Sequence, residues 1–571
     1  MVQLTMLDLV LLHPPSVYDF RKVSVLHGPI SDVIPSTPIF EMYPIGFASL
    51  SEYLGRFGLK VRIINLAYKM LKNKGYDAET EIKRIKARAF GIDLHWMPHI
   101  QGAIAVSELV KKHHPDTPVI FGGLSSTYFH EELLERYPSI DFVVRGDSTE
   151  EPLRLLIEAI RGNGTAHDVP NLSFRDKGAL VVNPLTFVPE DLDYSRTDYR
   201  HIIRKVVRYR DFAGYVPFVN WPKYPITAIF TCRGCTYNCK TCGGSRFAFA
   251  HMTGRKKAAF KSPELLVKEI REVALYLKGP IFLIGDLFQN GPEYGEKLLF
   301  LLKKERIRNS LVFEFFRPPD PAHVKMISQA AENFNVELSP ESHDEQVRQA
   351  FGRPYSNKSM ESLIETLLHY GCKRIDLFFM IGLPYQDYGS VMKTTGYCDD
   401  LLRRLGKSGV TTPFISPLAP FIDPGSMVFE SPEEHGYKLF FRDAESHRQA
   451  MQQPGWKYFL NYETRWMSRD EIVDSTYHAA LALNKVKMAH GLISRGVYGE
   501  LEKKIAFSLD TVSAIDRIME MDPADRKRRV AELRIDVEKN VGTIGEKKEL
   551  EWPTGIFRMN FFNIFKTLTG P

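Results

Sequence analysis

Short, uninterrupted apolar runs alternating with helix-length amphipathic stretches recur in two arrays along this chain, and no other feature restricts its fold as much. In the first array the runs fall at residues 7–12, 61–66, 89–92, 119–121 and 142–144, with helical periodicity between them, as at 104–110 and 152–160. Continuous apolar character implies burial on both faces. That requires a parallel sheet covered by helices on each side, with a ligand crevice at the strands' carboxyl ends. The reading is an α/β, Rossmann-like doubly wound domain over 1–162.

The second array places strands near 226–230, 281–284, 311–315, 336–338, 375–380 and 410–415. Six such units predict a partial TIM-like barrel over 226–431 with its site at the carboxyl ends. One helix start is explicit, with Ser262 as N-cap, Pro263 at the first helical position and Glu264 in the first turn. Gly371 closes another helix. Between the arrays, 163–225 reads as a linker packed between domains, with one strand pair, 172–174 and 180–182, around Lys177-Gly178. From 432 to 571 the pattern is polar and mostly helical, and the mixed charges of 525–549 read as a solvated helix.

A chain of 571 residues exceeds the size of a single core, so several domains are expected. With 75 basic against 69 acidic side chains, the net charge of +6 gives no argument for a nucleic-acid partner. No long apolar span and no secretory leader pattern is visible, so no transmembrane segment and a cytoplasmic location are expected.

Four of the six cysteines lie between Cys232 and Cys242, directly after the first strand of the second array, which speaks for metal chemistry at one place rather than a disulfide framework. Cys235, Cys239 and Cys242 are spaced C-x3-C-x2-C. Three thiolates can hold three irons of a 4Fe-4S cubane and leave the fourth open to a substrate molecule. All four also spell C-x2-C-x3-C-x2-C, the alternative being structural zinc and a zinc-stabilised binding protein. Cys232, Cys372 and Cys398 read as packed thiols.

This loop after strand one of a six-unit barrel resembles the radical S-adenosylmethionine (SAM) superfamily, and Arg233-Gly234-Cys235-Thr236-Tyr237-Asn238-Cys239 is similar to its cobalamin-dependent members. The resemblance implies that Gly285 and Asp286 bind the methionine amino group, that Glu341 and Ser342, followed by Gly352-Arg353, contact the ribose, and that Gly382 and Pro384 stand on the adenine side. It departs at Thr241, where the family usually has an aromatic. The first domain resembles the cobalamin-binding domain of such enzymes, with Gly122, Gly123, Ser125 and Gly146 in the loops after its fourth and fifth strands. Its usual Asp-x-His-x-x-Gly is missing: Leu12-His13-Pro14-Pro15 stands in that place, while Asp93-Leu94-His95 follows the third strand without the glycine. Cobalamin with neither its own base nor a protein histidine on cobalt is the expectation.

The resemblance implies three cofactors, a 4Fe-4S cluster, S-adenosylmethionine and cobalamin, and an electron donor such as ferredoxin or flavodoxin. It implies methyl transfer to an unactivated carbon through a 5′-deoxyadenosyl radical and methylcobalamin, or else rearrangement, cyclisation or carbon-carbon coupling. The substrate stays open among small molecules, lipids and peptides. Aromatics at Tyr215, Phe218, Trp221 and Tyr224, and at Trp456, Tyr458, Phe459, Tyr462 and Trp466, suit either a pocket or packing. The apolar stretch 556–565 is expected to dock onto the barrel rather than touch a lipid surface.

Overall fold

A computed structural model describes residues 6–22, 37, 39–406, 409–418, 421–540, 544–551 and 558–569. The first array forms strands β1 (Leu9–His13), β2 (Val61–Asn65), β3 (Phe90–Asp93), β4 (Val119–Gly122) and β5 (Phe142–Val144). They pair in parallel in the order β2-β1-β3-β4-β5. Every residue of β1 is buried, as unbroken apolar runs require. Val10 and Leu12 face one apolar core while Leu9 and Leu11 face another on the opposite side of the sheet. The chain order reverses between β1 and β3, where such sheets open their crevice.

The strand pair expected in the linker is present as β6 (Leu172–Asp176) and β7 (Ala179–Val182), but it does not stand alone. β6 pairs antiparallel with β5, so the hairpin extends the first sheet. An otherwise bare edge is thereby covered. The rest of that segment supplies Val216, Phe218, Trp221 and Tyr224 to a core continuous between the first sheet and the barrel.

The second array forms β8 (Thr227–Phe230), a short β9 (Cys232–Arg233) and β10 (Ala259–Phe260), then β11 (Ile281–Ile284), β12 (Leu311–Phe315), β13 (Phe334–Glu341), β14 (Arg374–Ile381) and β15 (Thr411–Pro417). Six of these pair in parallel in sequential order, β8-β11-β12-β13-β14-β15, giving an open barrel. The helix Pro263–Tyr276 begins as expected, Ser262 Oγ accepting from the Leu265 amide at 3.2 Å; such a cap contributes about 1 kcal/mol. β8 stops at Phe230, and Cys232 opens β9, which pairs antiparallel with β10.

The C-terminal region is helical. The helix Arg469–Ala489, started by a capping box between Ser468 and Glu471, packs against β15 and the helix Tyr388–Leu405. The last described helix, Phe561–Thr569, returns to the helices Tyr199–Tyr209 and Pro263–Tyr276. The apolar stretch docks on the barrel side only in part: Met559 and Ile564 pack inward, Phe561, Phe562 and Phe565 stay exposed, and Ile556 and Phe557 lie outside the described residues.

Candidate active site

The cysteine loop leaves β8 through buried Thr231, whose amide and Oγ1 both donate to the Ile284 carbonyl, at 3.1 and 3.0 Å. The loop is thus tied to the end of β11. Gly234 then turns the chain at φ +82, where a Cβ would meet the Arg255 side chain at 2.9 Å. Farther on, Gly352 (φ +117) approaches so closely that a Cβ would lie 3.2 Å from Cys239 Cα. Two amides aim at sulfur: Tyr237 N donates to Cys235 Sγ at 3.4 Å and Gly244 N to Cys242 Sγ at 3.2 Å. Burial pushes all three thiols up, Cys239 to about 11, so a bound metal must displace their protons.

Cys235, Cys239 and Cys242 line one cavity. Among the described residues no three His, Cys, Asp or Glu side chains converge on a single ion position, which is not the tetrahedral arrangement of a tetrathiolate zinc site. A polynuclear cluster takes each thiolate on a separate iron and needs no such convergence. Cys372 and Cys398 are buried in packing, as expected. Cys232 is not: it lines the cavity, and its sulfur accepts from Gln289 Nε2 at 3.3 Å.

The cavity measures about 1320 Å³ and runs from the first sheet's carboxyl ends into the barrel. Single-ligand pockets are typically ~300–1,000 Å³, so this one has room for more than one bound molecule. Gly122, Gly123, Ser125 and Gly146 line its far wall. Gly123 (φ +115) presses on the His95 backbone, 2.6 Å from where a Cβ would stand, and Ser125 Oγ donates to the His95 carbonyl at 2.9 Å. At its three glycines that wall is bare backbone, which suits a wide flat ligand such as a corrin. His13, standing where a cobalt-ligating histidine would be sought, is fully buried, with Nδ1 2.9 Å from Asp93 Oδ1 and Nε2 3.1 Å from the Phe40 carbonyl. Both its nitrogens are used within the first domain.

Of the residues expected around S-adenosylmethionine, Gly285 (φ +99) lines the cavity, whereas Asp286, Glu341, Ser342, Gly382 and Pro384 are not among its lining residues. They sit behind its wall. Asp286 accepts from the Phe288 amide at 2.9 Å, and burial raises its carboxyl to about 6. The Ser342 hydroxyl accepts from the Asp344 amide at 3.1 Å. Gly382 packs against Tyr462, whose hydroxyl would lie 2.6 Å from an added Cβ. Pro384 is buried next to it. Glu341 is buried behind Arg353 at 3.5 Å, and burial pushes it to about 7 despite that cation. Glu341 Oε2 and Arg353 Nε are buried without hydrogen-bond partners. Arg353 reaches the cavity, with its guanidinium over the Phe316 ring at 4.5 Å. Two orphaned polar atoms beside the cysteine loop fit a polar ligand there.

Sequence reasoning missed a carboxylate layer. Glu314, Glu337 and Asp376 are direct register neighbours across β12, β13 and β14, and all three line the cavity. Glu314 accepts from the Gly285 amide at 2.8 Å. Burial, then the nearby acids, pushes Glu337 well above the carboxylate range. The available signal was an acid inside an otherwise apolar strand. Also missed were the clamps holding the two domains together. Arg233 donates to Ser148 Oγ and Glu150 Oε2 at 3.0 and 2.9 Å, and Arg255 pairs with Asp147.

Comparison with known families agrees with this division of the site. Residues 33–156 match the B12 binding domain and residues 229–398 the Radical SAM superfamily. The chain is a cobalamin-dependent radical SAM enzyme. Its cofactors are a 4Fe-4S cluster, S-adenosylmethionine and cobalamin, and the cysteine loop, orphaned polar atoms and glycine wall fit them. The fold is shared with two solved enzymes of this kind. One is the radical S-adenosylmethionine methyltransferase TsrM from Kitasatospora setae, at TM-score 0.55 and 16% identity over 76% of this chain and 81% of that one. The other is the cobalamin-dependent S-adenosylmethionine radical enzyme OxsB, at TM-score 0.55 and 13% identity over 99% of this chain and 84% of that one. Among curated proteins, the anaerobic magnesium-protoporphyrin IX monomethyl ester cyclase of Rubrivivax gelatinosus is 25% identical over 181 residues, 30% of each chain. That of Synechocystis is 28% identical over 134 residues, 23% of this chain and 24% of that one. The matched stretches thus span less than a third of these relatives' length.

Proposed function

We propose that this enzyme transfers a methyl group to an unactivated carbon. When bound, its cofactors supply hydrogen abstraction by a 5′-deoxyadenosyl radical and a methyl group carried by cobalamin. The observation that carries the reading is the single cavity in which the three cysteines face the glycine wall of the first domain. In this reading Cys235, Cys239 and Cys242 hold the cluster, and Gly122, Gly123, Ser125 and Gly146 let the corrin lie flat. Gly285 leaves space for the methionine end of S-adenosylmethionine, with the Glu314 carboxylate beneath its amide. Asp286, Glu341, Ser342, Gly382 and Pro384 fix the shape of that pocket, and Arg353 places a cation at its edge. Glu337, whose burial favours the protonated form, faces the substrate space. A small one-electron donor of the ferredoxin or flavodoxin kind, acting twice for each methyl transferred, supplies the two electrons that the turnover consumes.

Ring formation is the second reading, favoured by the curated relatives being cyclases. The two differ in stoichiometry. Methyl transfer consumes a second S-adenosylmethionine, so the reconstituted enzyme yields S-adenosylhomocysteine and 5′-deoxyadenosine in equal amounts. Product carrying the label from methyl-deuterated S-adenosylmethionine completes the test. 5′-Deoxyadenosine without S-adenosylhomocysteine, and an unlabelled product, would refute methyl transfer in favour of cyclisation.

A further inference from the structure

The helix Phe561–Thr569 is anchored by one face only. Ile564 lines the cavity, Asn563 Nδ2 donates to the Leu275 carbonyl at 2.8 Å, and Thr567 Oγ1 lies 2.8 Å from Tyr276 OH. Its other face turns three phenylalanines outward: Phe561, Phe562 and Phe565 are 74%, 77% and 67% exposed. Large aromatics clustered in the open mark an interaction surface.

The neighbouring helix Tyr199–Tyr209 supplies the charge. Neither helix contains an acidic residue, while Arg200, Arg204, Arg208 and Lys566 are exposed. Val207 on this helix and Phe212 just after it, 51% and 46% exposed, also line the cavity. The cavity therefore opens on a surface that is aromatic and basic. Like charge on every copy opposes self-association through this face. Phenylalanine on one side of a short helix with arginine and lysine beside it is the pattern of an interfacial element, its apolar face sunk ~5–10 Å among headgroups and its cations on anionic lipid.

We infer that this face docks on an anionic lipid bilayer, setting the cavity mouth against the membrane so that an apolar, lipid-like substrate enters from it. The substrate part rests on the reading of the cavity as the reaction chamber; the docking part does not. Among the described residues no helix is long and apolar enough to cross a membrane, so the contact is peripheral.

Co-sedimentation of the cofactor-loaded protein with phosphatidylglycerol–phosphatidylcholine vesicles, against pure phosphatidylcholine, tests it without turnover. The wild type binds the anionic vesicles at least tenfold more tightly, and high salt weakens that binding. Phe561→Ser/Phe562→Ser/Phe565→Ser loses at least about tenfold in affinity. Arg208→Glu/Lys566→Glu loses that anionic preference, binding both vesicle types within about twofold of each other. Retained cobalamin and unchanged circular dichroism show that both variants fold. Equal binding to both vesicle types, or unchanged binding by the phenylalanine variant, overturns the inference. So does a dimer that dissociates in the phenylalanine variant while no vesicles are bound. Vesicle binding without any methyl transfer would refute the proposed reaction and leave the docking intact.

Discussion

Arg233 is the residue whose loss the structure lets one quantify. It follows Cys232 on β9 and reaches across to Glu150, which is 1% exposed at the start of a first-domain helix, while also donating to Ser148, Tyr194 and Ser195. Burial alone would raise the Glu150 carboxyl. The Arg233 charge and hydrogen bonds, with one from Ser195 Oγ, more than offset it and hold the group below the carboxylate range. Arg233→Met strands this carboxylate, and an uncompensated buried charge costs about 3–5 kcal/mol. If the cost is met by local opening, amide exchange in β9 and in 146–150 accelerates by about two to nearly four orders of magnitude at neutral pH. The sign with pH is fixed. In the wild type the depressed Glu150 contributes stability above its ordinary pKa and loses it as pH falls. In Arg233→Met, burial raises the carboxyl, so the penalty shrinks as acid neutralises it. Glu150→Gln added to Arg233→Met therefore restores most of the protection. Hydrogen exchange by mass spectrometry reads all three proteins. A single mutant within about twofold of wild type, or a double mutant no better protected than the single, would refute the reasoning.

Three further outcomes follow from the site. Ala at Cys235, Cys239 or Cys242 removes the cluster's charge-transfer absorbance and most of the iron, whereas Cys232→Ala retains both, because the Cys232 sulfur is already engaged, accepting from Gln289 and donating to the Gly234 carbonyl. Gly123→Ala, whose Cβ would meet the His95 backbone at φ +115, weakens cobalamin retention at least tenfold on gel filtration and spares the iron. Glu341 holds its proton to about 7 in the fold against an ordinary 4.5, so the cofactor-free protein loses stability as pH rises through that window. Glu341→Gln removes this component, about 1.4 kcal/mol for each pH unit, as urea unfolding at several pH values would record.

The apolar runs at β1 through β5 and at the six barrel strands were legible because parallel strands buried on both faces leave no room for polar alternation. The cysteine spacing was legible for a related reason: ligands to one cluster lie close in sequence when a single loop supplies them. Ser262 and Gly371 marked helix ends through local chemistry alone. Local rules do not say which side chains face a shared cavity. Asp286 and Glu341 stand at the expected strand ends yet sit behind its wall, while Glu314 reaches it from within β12. The carboxylate layer exists only because β12, β13 and β14 pair in one register, and strand register is a property of the sheet. The bridges from Arg233 to Glu150 and from Arg255 to Asp147 span 83 and 108 residues and need both domains in place. The sequence by itself thus determined the two folds and the chemistry of the loop joining them. The tertiary structure decided how the cofactor walls meet, and that the cavity opens between an exposed aromatic helix and a basic one, because both depend on contacts between segments that no periodicity within either records.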